Sequence, residues 1–183
     1  MSAMNEPGAS SSDGWIRFHV RSSGVLQHDL SVSRDESFEN EVFSVAGDKH
    51  GAKILDADGV VVMTAVVTKA LLARVEYLDS NGAVVARLER NSVFNKKHME
   101  LTLAGAVEWI VVKSGRLKQF YSVFQNETPL AKMDLKTLPL KHHYPIEIAE
   151  GVDLPLAVGL VWAINFSHLR RVAGAGAGAV GAT

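Results

Sequence analysis

The sequence predicts a mainly β (α+β) domain, a barrel or cup of antiparallel strands closed around one C-terminal helix. Three observations predict it. Val152 to Leu169 (VDLPLAVGLVWAINFSHL) is a nearly unbroken apolar segment whose side chains cover every side of a helical wheel. A soluble helix without a polar face has to be enclosed. The chain before it alternates apolar and polar residues with period two in short runs, as half-buried strands do. Turn dipeptides punctuate those runs about every 8–12 residues, the spacing of an antiparallel meander.

Size and composition agree with one compact unit. The chain has 183 residues, of which 47% are hydrophobic, enough for a single domain with a substantial core. A formal net charge of -1 gives no global pull towards nucleic acid or an anionic surface, so any such binding rests on a local patch. There is no cysteine, which removes disulfides, thiolate metal sites and cysteine nucleophiles together. The opening MSAMNEPGASSSDG lacks a basic n-region and an apolar core, so it does not read as a secretory signal, and a reducing, cytoplasmic setting is expected. Residues 1–13 are small, polar and rich in Gly, Pro and Ser and are expected as a disordered tail. Residues 14–172 are expected as the barrel domain. Ala173 to Thr183 (AGAGAGAVGAT) has no side chains able to build a core and is expected as a flexible tail.

The strands follow in order. Trp15 to Val20 puts Ile16, Phe18 and Val20 on one face, and Val60 to Val67 (VVVMTAVV) is apolar on both. Between Val66 and Leu78, Ala70-Leu71-Leu72-Ala73 favours helix locally, and the segment is kept as strand or short connector. Arg74 to Tyr77 and Ala83 to Glu89 alternate, and His98 to Leu103 places Met99, Leu101 and Leu103 inward. Glu108 to Lys113 and Leu117 to Phe124 are aromatic and β-branched, a good strand composition. Asp58-Gly59 and Asn81-Gly82 are expected as type I′ hairpin turns, which need positive φ at both central residues. Ser114-Gly115 makes a third turn.

The two hairpins resemble each other. Ile54-Leu55-Asp56-Ala57-Asp58-Gly59-Val60-Val61 parallels Tyr77-Leu78-Asp79-Ser80-Asn81-Gly82-Ala83-Val84. Each looks like half of a calcium loop, whose twelfth position is a bidentate glutamate. That position is Val67 in one copy and Arg90 in the other. The calcium reading fails on both, and two equivalent turns remain.

The terminal helix has its own signals. Asp153 suits an N-cap, Pro155 is tolerated in the first turn, and Gly159 permits close approach to a strand. Arg170 and Arg171 suit the negative end of the helix dipole. The uninterrupted apolar run, Leu154 to Ile164, is about half of the ~20 residues that span a bilayer, so a buried helix is expected rather than a membrane span.

The order of elements resembles the tubby C-terminal-like superfamily and, within it, the LURP-one-related and phospholipid-scramblase branch. The paired Leu-Asp-X-Asp/Asn-Gly-X-Val hairpins carry the resemblance, with the strand Phe120-Tyr121-Ser122-Val123 and a helix opening Val152-Asp153 and continuing from Leu156 to Asn165. It spans about Trp15 to Arg171. The resemblance implies a closed antiparallel β-barrel of about twelve strands threaded by its hydrophobic helix, an arrangement that also removes exposed strand edges.

Catalytic signals are sparse. His142-His143 and the pair His98 and Glu100 are the suggestive placements, but a metal needs three or four converging ligands. Surface polar roles are expected, with no metal. No nucleophile-elbow motif and no phosphate-binding Gly-rich loop is present, so the chain is expected to be no enzyme, with no catalytic residue and no cofactor. Three basic clusters remain: Asn95-Lys96-Lys97-His98, Arg116-Leu117-Lys118 and Lys141-His142-His143. Tubby domains bind phosphoinositides through basic residues, so the resemblance implies Lys96, Lys97, Arg116, Lys118, Lys141, His142 and His143 as candidate ligands for an anionic headgroup. The expected function is a non-catalytic barrel that binds anionic, phosphoinositide-like headgroups or associates peripherally with membrane. The alternative is a structural or regulatory protein-interaction module. The expected partners are an anionic lipid or membrane surface, or a protein; nucleic acid is not expected.

Overall fold

The computed structural model describes residues 14–23, 28–69, 74–89, 98–104, 108–114, 119–135 and 143–176. The strands are β1 (Trp15–Ser23), β2 (Asp29–Ser33), β3 (Glu41–Gly47), β4 (Gly51–Asp56), β5 (Val61–Lys69) and β6 (Arg74–Asp79). They continue as β7 (Val84–Glu89), β8 (His98–Leu103), β9 (Glu108–Ser114), β10 (Gln119–Gln125), β11 (Thr128–Leu135) and β12 (His143–Ala149), and one helix, α1 (Leu154–Gly176), ends the fold. Each strand pairs antiparallel with its neighbour in sequence, and β12 returns to β1, from Trp15 opposite Ala149 to Arg21 opposite His143. Closure satisfies every strand on both sides and leaves no edge for another chain to extend.

Alternation sorts the side chains. Phe18, Val20, Tyr77, Leu88, Leu101, Val111, Val123, Ile146 and Ile148 point inward and are buried. Met99 is buried too, and Leu103 packs against the core. Four strands carried no reading from sequence: β2, β3, β11 and β12. Serines, glycines and the prolines Pro129 and Pro145 interrupt their apolar pattern, and pairing within the barrel decides them instead. Ala70 to Ala73 lies outside the described residues.

α1 is the plug. Every residue from Leu156 to Phe166 is buried, which for a helix means burial on all sides. Asp153 caps it: Oδ1 accepts the Leu156 amide at 2.9 Å, and its carbonyl accepts the Ala157 amide at 3.0 Å, so two of the first-turn donors are satisfied. The Trp162 indole donates to the His28 carbonyl at 3.0 Å and stacks on Phe166. Gly47 makes room for that contact, since a Cβ there would stand 2.5 Å from Trp162 Nε1. The helix runs on to Gly176, inside the Ala173–Thr183 tract expected as a tail; alanine extends an already nucleated helix at little cost. Among the described residues no helix is long and apolar enough to cross a membrane.

The turns correct one expectation. Gly59 and Gly82 have positive φ (77° and 81°), but Asp58 and Asn81 do not, so neither turn is type I′. In each copy the glycine amide donates to the leading aspartate's carbonyl at 3.0 Å. That aspartate's Oδ1 accepts two further amides: Asp58 at 3.0 Å and Val60 at 2.9 Å, and Asn81 and Ala83 at 2.9 Å each. This is a type I turn followed by a left-handed glycine, with the register shift of a bulge beside it. The aspartate decides the outcome, because its carboxylate rewards the right-handed conformation at the next two residues. The positive-φ pair sits instead at Asn126 (47°) and Glu127 (68°), between β10 and β11. The Ser114-Gly115 turn extends beyond the described residues.

Candidate functional site

Among the described residues, α1 fills most of the space beside the β9–β12 wall. Between α1 and the β9–β12 wall, Trp109, Met133, Ile146 and Leu160 line an apolar crevice about the size of one water molecule. Two polar atoms inside the wall, Trp109 Nε1 and Tyr144 Oη, are buried without a hydrogen-bond partner. Burial pushes the Tyr144 hydroxyl well above its ordinary range. Among the described residues, the space between α1 and this wall is filled by packing rather than open to a ligand.

The outer wall is richer. Because Phe18 and Val20 point inward, Arg17, His19 and Arg21 project outward from β1. His19 nevertheless keeps only 8% exposure. The turn from Arg34 to Asn40, joining β2 to β3, folds back over it, and His143 of β12 closes the other side. His19 Nδ1 and His143 Nε2 share a hydrogen bond at 3.2 Å. Phe38 meets the His143 ring edge-on, 5.3 Å between centroids, and the Arg21 guanidinium lies 4.3 Å from the centre of the Phe38 ring, a cation–π distance.

Asp35 shapes that turn. Its carboxylate accepts the Ser37 hydroxyl at 2.6 Å, the Asn40 amide at 2.9 Å and the Glu39 amide at 3.2 Å. The buried Ser33 hydroxyl donates to the Asn40 carbonyl at 2.8 Å. These donors, led by Ser37, hold the Asp35 carboxyl far below the usual carboxylate range. They also hold Phe38 at φ 63°, a left-handed conformation that costs an aromatic residue about 1–2 kcal/mol. The strained residue is the one that reaches His143 and Arg21.

The electrostatics are mixed. Burial, then the neighbouring His143 and Arg17, lower the His19 pKa from its ordinary 6.5, while Glu36 and Asp35 pull the other way. Glu36 Oε1 stands 3.9 Å from His19 Nδ1 with its side chain 79% exposed. Arg17 pairs with Glu147 across β1 and β12 at 3.4 Å. Among the described residues no group of three His, Asp or Glu side chains is arranged to hold a metal ion.

Of the seven residues expected to bind a headgroup, His143 belongs to this cluster. Lys96, Lys97, Arg116, Lys118, Lys141 and His142 lie outside the described residues. So does the side chain of His98, which leaves its pairing with Glu100 undescribed. The cluster adds His19, Arg21, Phe38 and Asp35, none of which stood out in the sequence. His19 and His143 are 124 positions apart, and only the β1–β12 closure joins them. The legible signal was the strand phase: a histidine and two arginines opposite Ile16, Phe18 and Val20.

A solved X-ray structure of a protein from Arabidopsis thaliana is similar at 12% identity and a TM-score of 0.41, covering 83% of this chain and 91% of that one. No curated protein matches the chain. The family model described as LURP-one-related matches residues 16–165, which takes in every strand from the second residue of β1 and the buried part of α1 almost to Phe166. The chain belongs to the LURP-one-related family, within the tubby-like superfamily.

Proposed function

We propose that the chain is a non-catalytic binding module that takes an anionic, phosphoinositide-like headgroup on the outer wall of its barrel and so associates peripherally with a membrane. One observation carries this reading: Arg21 and His143 face each other across the β1–β12 pair, and Lys141 and His142 immediately precede His143 in the chain. Two strands thus bring a guanidinium and an imidazole together, and two more basic residues precede this imidazole in the sequence. The filled interior supports a surface site over an enclosed one, and no step of chemistry is assigned to it.

Vesicle cosedimentation tests the reading. Phosphatidylcholine vesicles carrying phosphatidylinositol bisphosphate are expected to retain the protein, and Arg21→Gln to weaken retention about fivefold, given ~1 kcal/mol for each basic residue near an anionic surface. Equal retention of both proteins removes this corner from consideration. Lys96→Glu/Lys97→Glu tests the separate cluster in the same assay.

A second reading, a structural or regulatory protein-interaction module without lipid binding, has its own support. Val60, Val66, Val84 and Ile110 stand exposed, and apolar side chains outside a barrel suit contact with another protein. Native mass spectrometry of the protein from its own cells separates the two readings: co-purified phospholipid favours the first, a co-purified polypeptide the second.

A further inference from the structure

The turn from Arg34 to Asn40 meets β1 through Glu36 beside His19, Arg34 over Phe18 and Phe38 over Arg21, and the Phe38 contact leads on to one hydrogen bond. Phe38 rests on His143 and Arg21, and His143 is fixed by His19. Two imidazoles share a hydrogen bond only while one ring is neutral, because a doubly protonated ring has no lone pair to accept with. We infer that His19 and His143 form a proton-released latch over the headgroup site: their hydrogen bond keeps the Phe38 turn closed, and charging both rings opens it and admits a phosphate-bearing ligand to Arg21 and His143. The ligand half of this inference rests on the headgroup reading above; the latch half does not.

The surrounding charges fit a release. On β1 the neighbours are Arg17 and Arg21, on β12 Glu147, and on the turn Arg34, Asp35, Glu36 and Glu39. Glu147 is engaged by Arg17, and the Asp35 carboxylate is already surrounded by donors from its own turn. Glu36, 3.9 Å away and exposed, is the acid free to follow a protonated His19. A protonated His19 Nδ1 can only donate, so the shared bond survives the first proton only while His143 Nε2 stays unprotonated. A second proton then sets two positive rings 3.2 Å apart beside the Arg21 guanidinium, and like charges at that distance separate. Phe38 loses its platform as His143 turns away. Its left-handed backbone, costly by itself, then favours leaving the closed turn. The exposed product is a guanidinium and an imidazolium without their aromatic cover, which suits a phosphate dianion.

The test uses the full chain at about pH 7.5 and about pH 4.5, the lower value set well below the ordinary imidazole range because burial lowers the His19 pKa. Two things are read: hydrogen exchange at the Glu39 and Asn40 amides, corrected for intrinsic rates, and cosedimentation with phosphatidylcholine vesicles carrying phosphatidylinositol bisphosphate. Soluble inositol trisphosphate as competitor separates headgroup recognition from general attraction to the vesicle. Acid is expected to raise opening of the turn about tenfold, the factor that one unit of differential protonation supplies, with vesicle retention rising in parallel. His19→Asn/His143→Gln places amides where Nδ1 and Nε2 stood, without titration, and is expected to flatten both responses. His143→Gln alone, which leaves His19 in place, is the second variant should the double one not fold. Equal protection of the wild type at both pH values overturns the latch, as does an acid response that persists in the variants. Opening without vesicle binding at either pH overturns the ligand half and the headgroup reading with it. Binding that is equal at both pH values over a closed turn overturns the latch and leaves the headgroup reading standing.

Discussion

The Tyr77 hydroxyl donates to the carbonyl of Gly159 at 3.3 Å, joining β6 to the second turn of α1. The ring lies so close that a Cβ on Gly159 would stand 2.9 Å from Tyr77 Cε1. Burial drives the Tyr77 pKa far up, so the hydroxyl remains a donor throughout the ordinary pH range. Gly159→Ala is expected to lower stability by about 1–3 kcal/mol through overpacking, and Tyr77→Phe by about 1 kcal/mol through the lost hydrogen bond. Urea unfolding checks both. A Gly159→Ala protein as stable as the wild type would mean that the helix does not sit against β6.

Asp153 fixes where the plug begins. Asp153→Ala removes the acceptor for the Leu156 amide and is expected to cost about 0.5–2 kcal/mol. Thermal denaturation reads this as a lower midpoint. An unchanged midpoint would take the cap out of the account.

The two hairpins make a matched pair of tests. Asp58 and Asn81 keep negative φ while Gly59 and Gly82 do not. Asp58→Val and Asn81→Val are therefore expected to shift stability by at most about 0.5 kcal/mol. Gly59→Val and Gly82→Val are each expected to cost about 1–2 kcal/mol, and their double variant the sum. Large, equal losses at all four positions would restore the type I′ turn.

Two windows of acid sensitivity follow from the turn over β1. The folded His19 pKa lies below 6.5, so the unfolded chain takes up the proton first. The stability that His19 contributes is present above pH 6.5 and is lost as pH falls from there through the folded value. The Asp35 pKa lies below its ordinary 3.8, so its contribution is present above pH 3.8 and lost as pH falls further. Ser37→Ala removes the shortest of its hydrogen bonds. It is expected to raise the Asp35 pKa and so narrow the lower window from its acid side, leaving the upper window in place. Carboxyl-carbon NMR titration of Asp35 reads this directly; an identical titration in the variant would show that Ser37 does not hold the carboxylate.

Much of this architecture was legible because it depends on local pattern. The alternation around Phe18 and Leu101 reports a strand face, Asp153 a helix start, and the apolar run through Trp162 an enclosed helix. The turn type escaped because Asp58-Gly59 is ambiguous by itself, and the carboxylate of Asp56 settles it from two residues earlier. Asn126-Glu127 escaped because its second residue is not glycine. The cluster at His19 escaped for a different reason. Its members come from β1, the β2–β3 turn and β12, and barrel closure brings them together across most of the chain. A strained Phe38 has no mark in sequence at all, since the donors around Asp35 create the strain.

The enclosed helix is the claim on which the rest depends, because the proposed outer-wall site assumes an interior filled by α1. Hydrogen exchange of the α1 amides from Ala157 to Phe166, with the Trp162 indole proton, tests it most directly. These protons are expected to exchange only through global unfolding, with protection that falls in step with stability as urea is added. Rapid exchange that ignores urea, while the strands stay protected, would show that the helix leaves the barrel and would contradict the account.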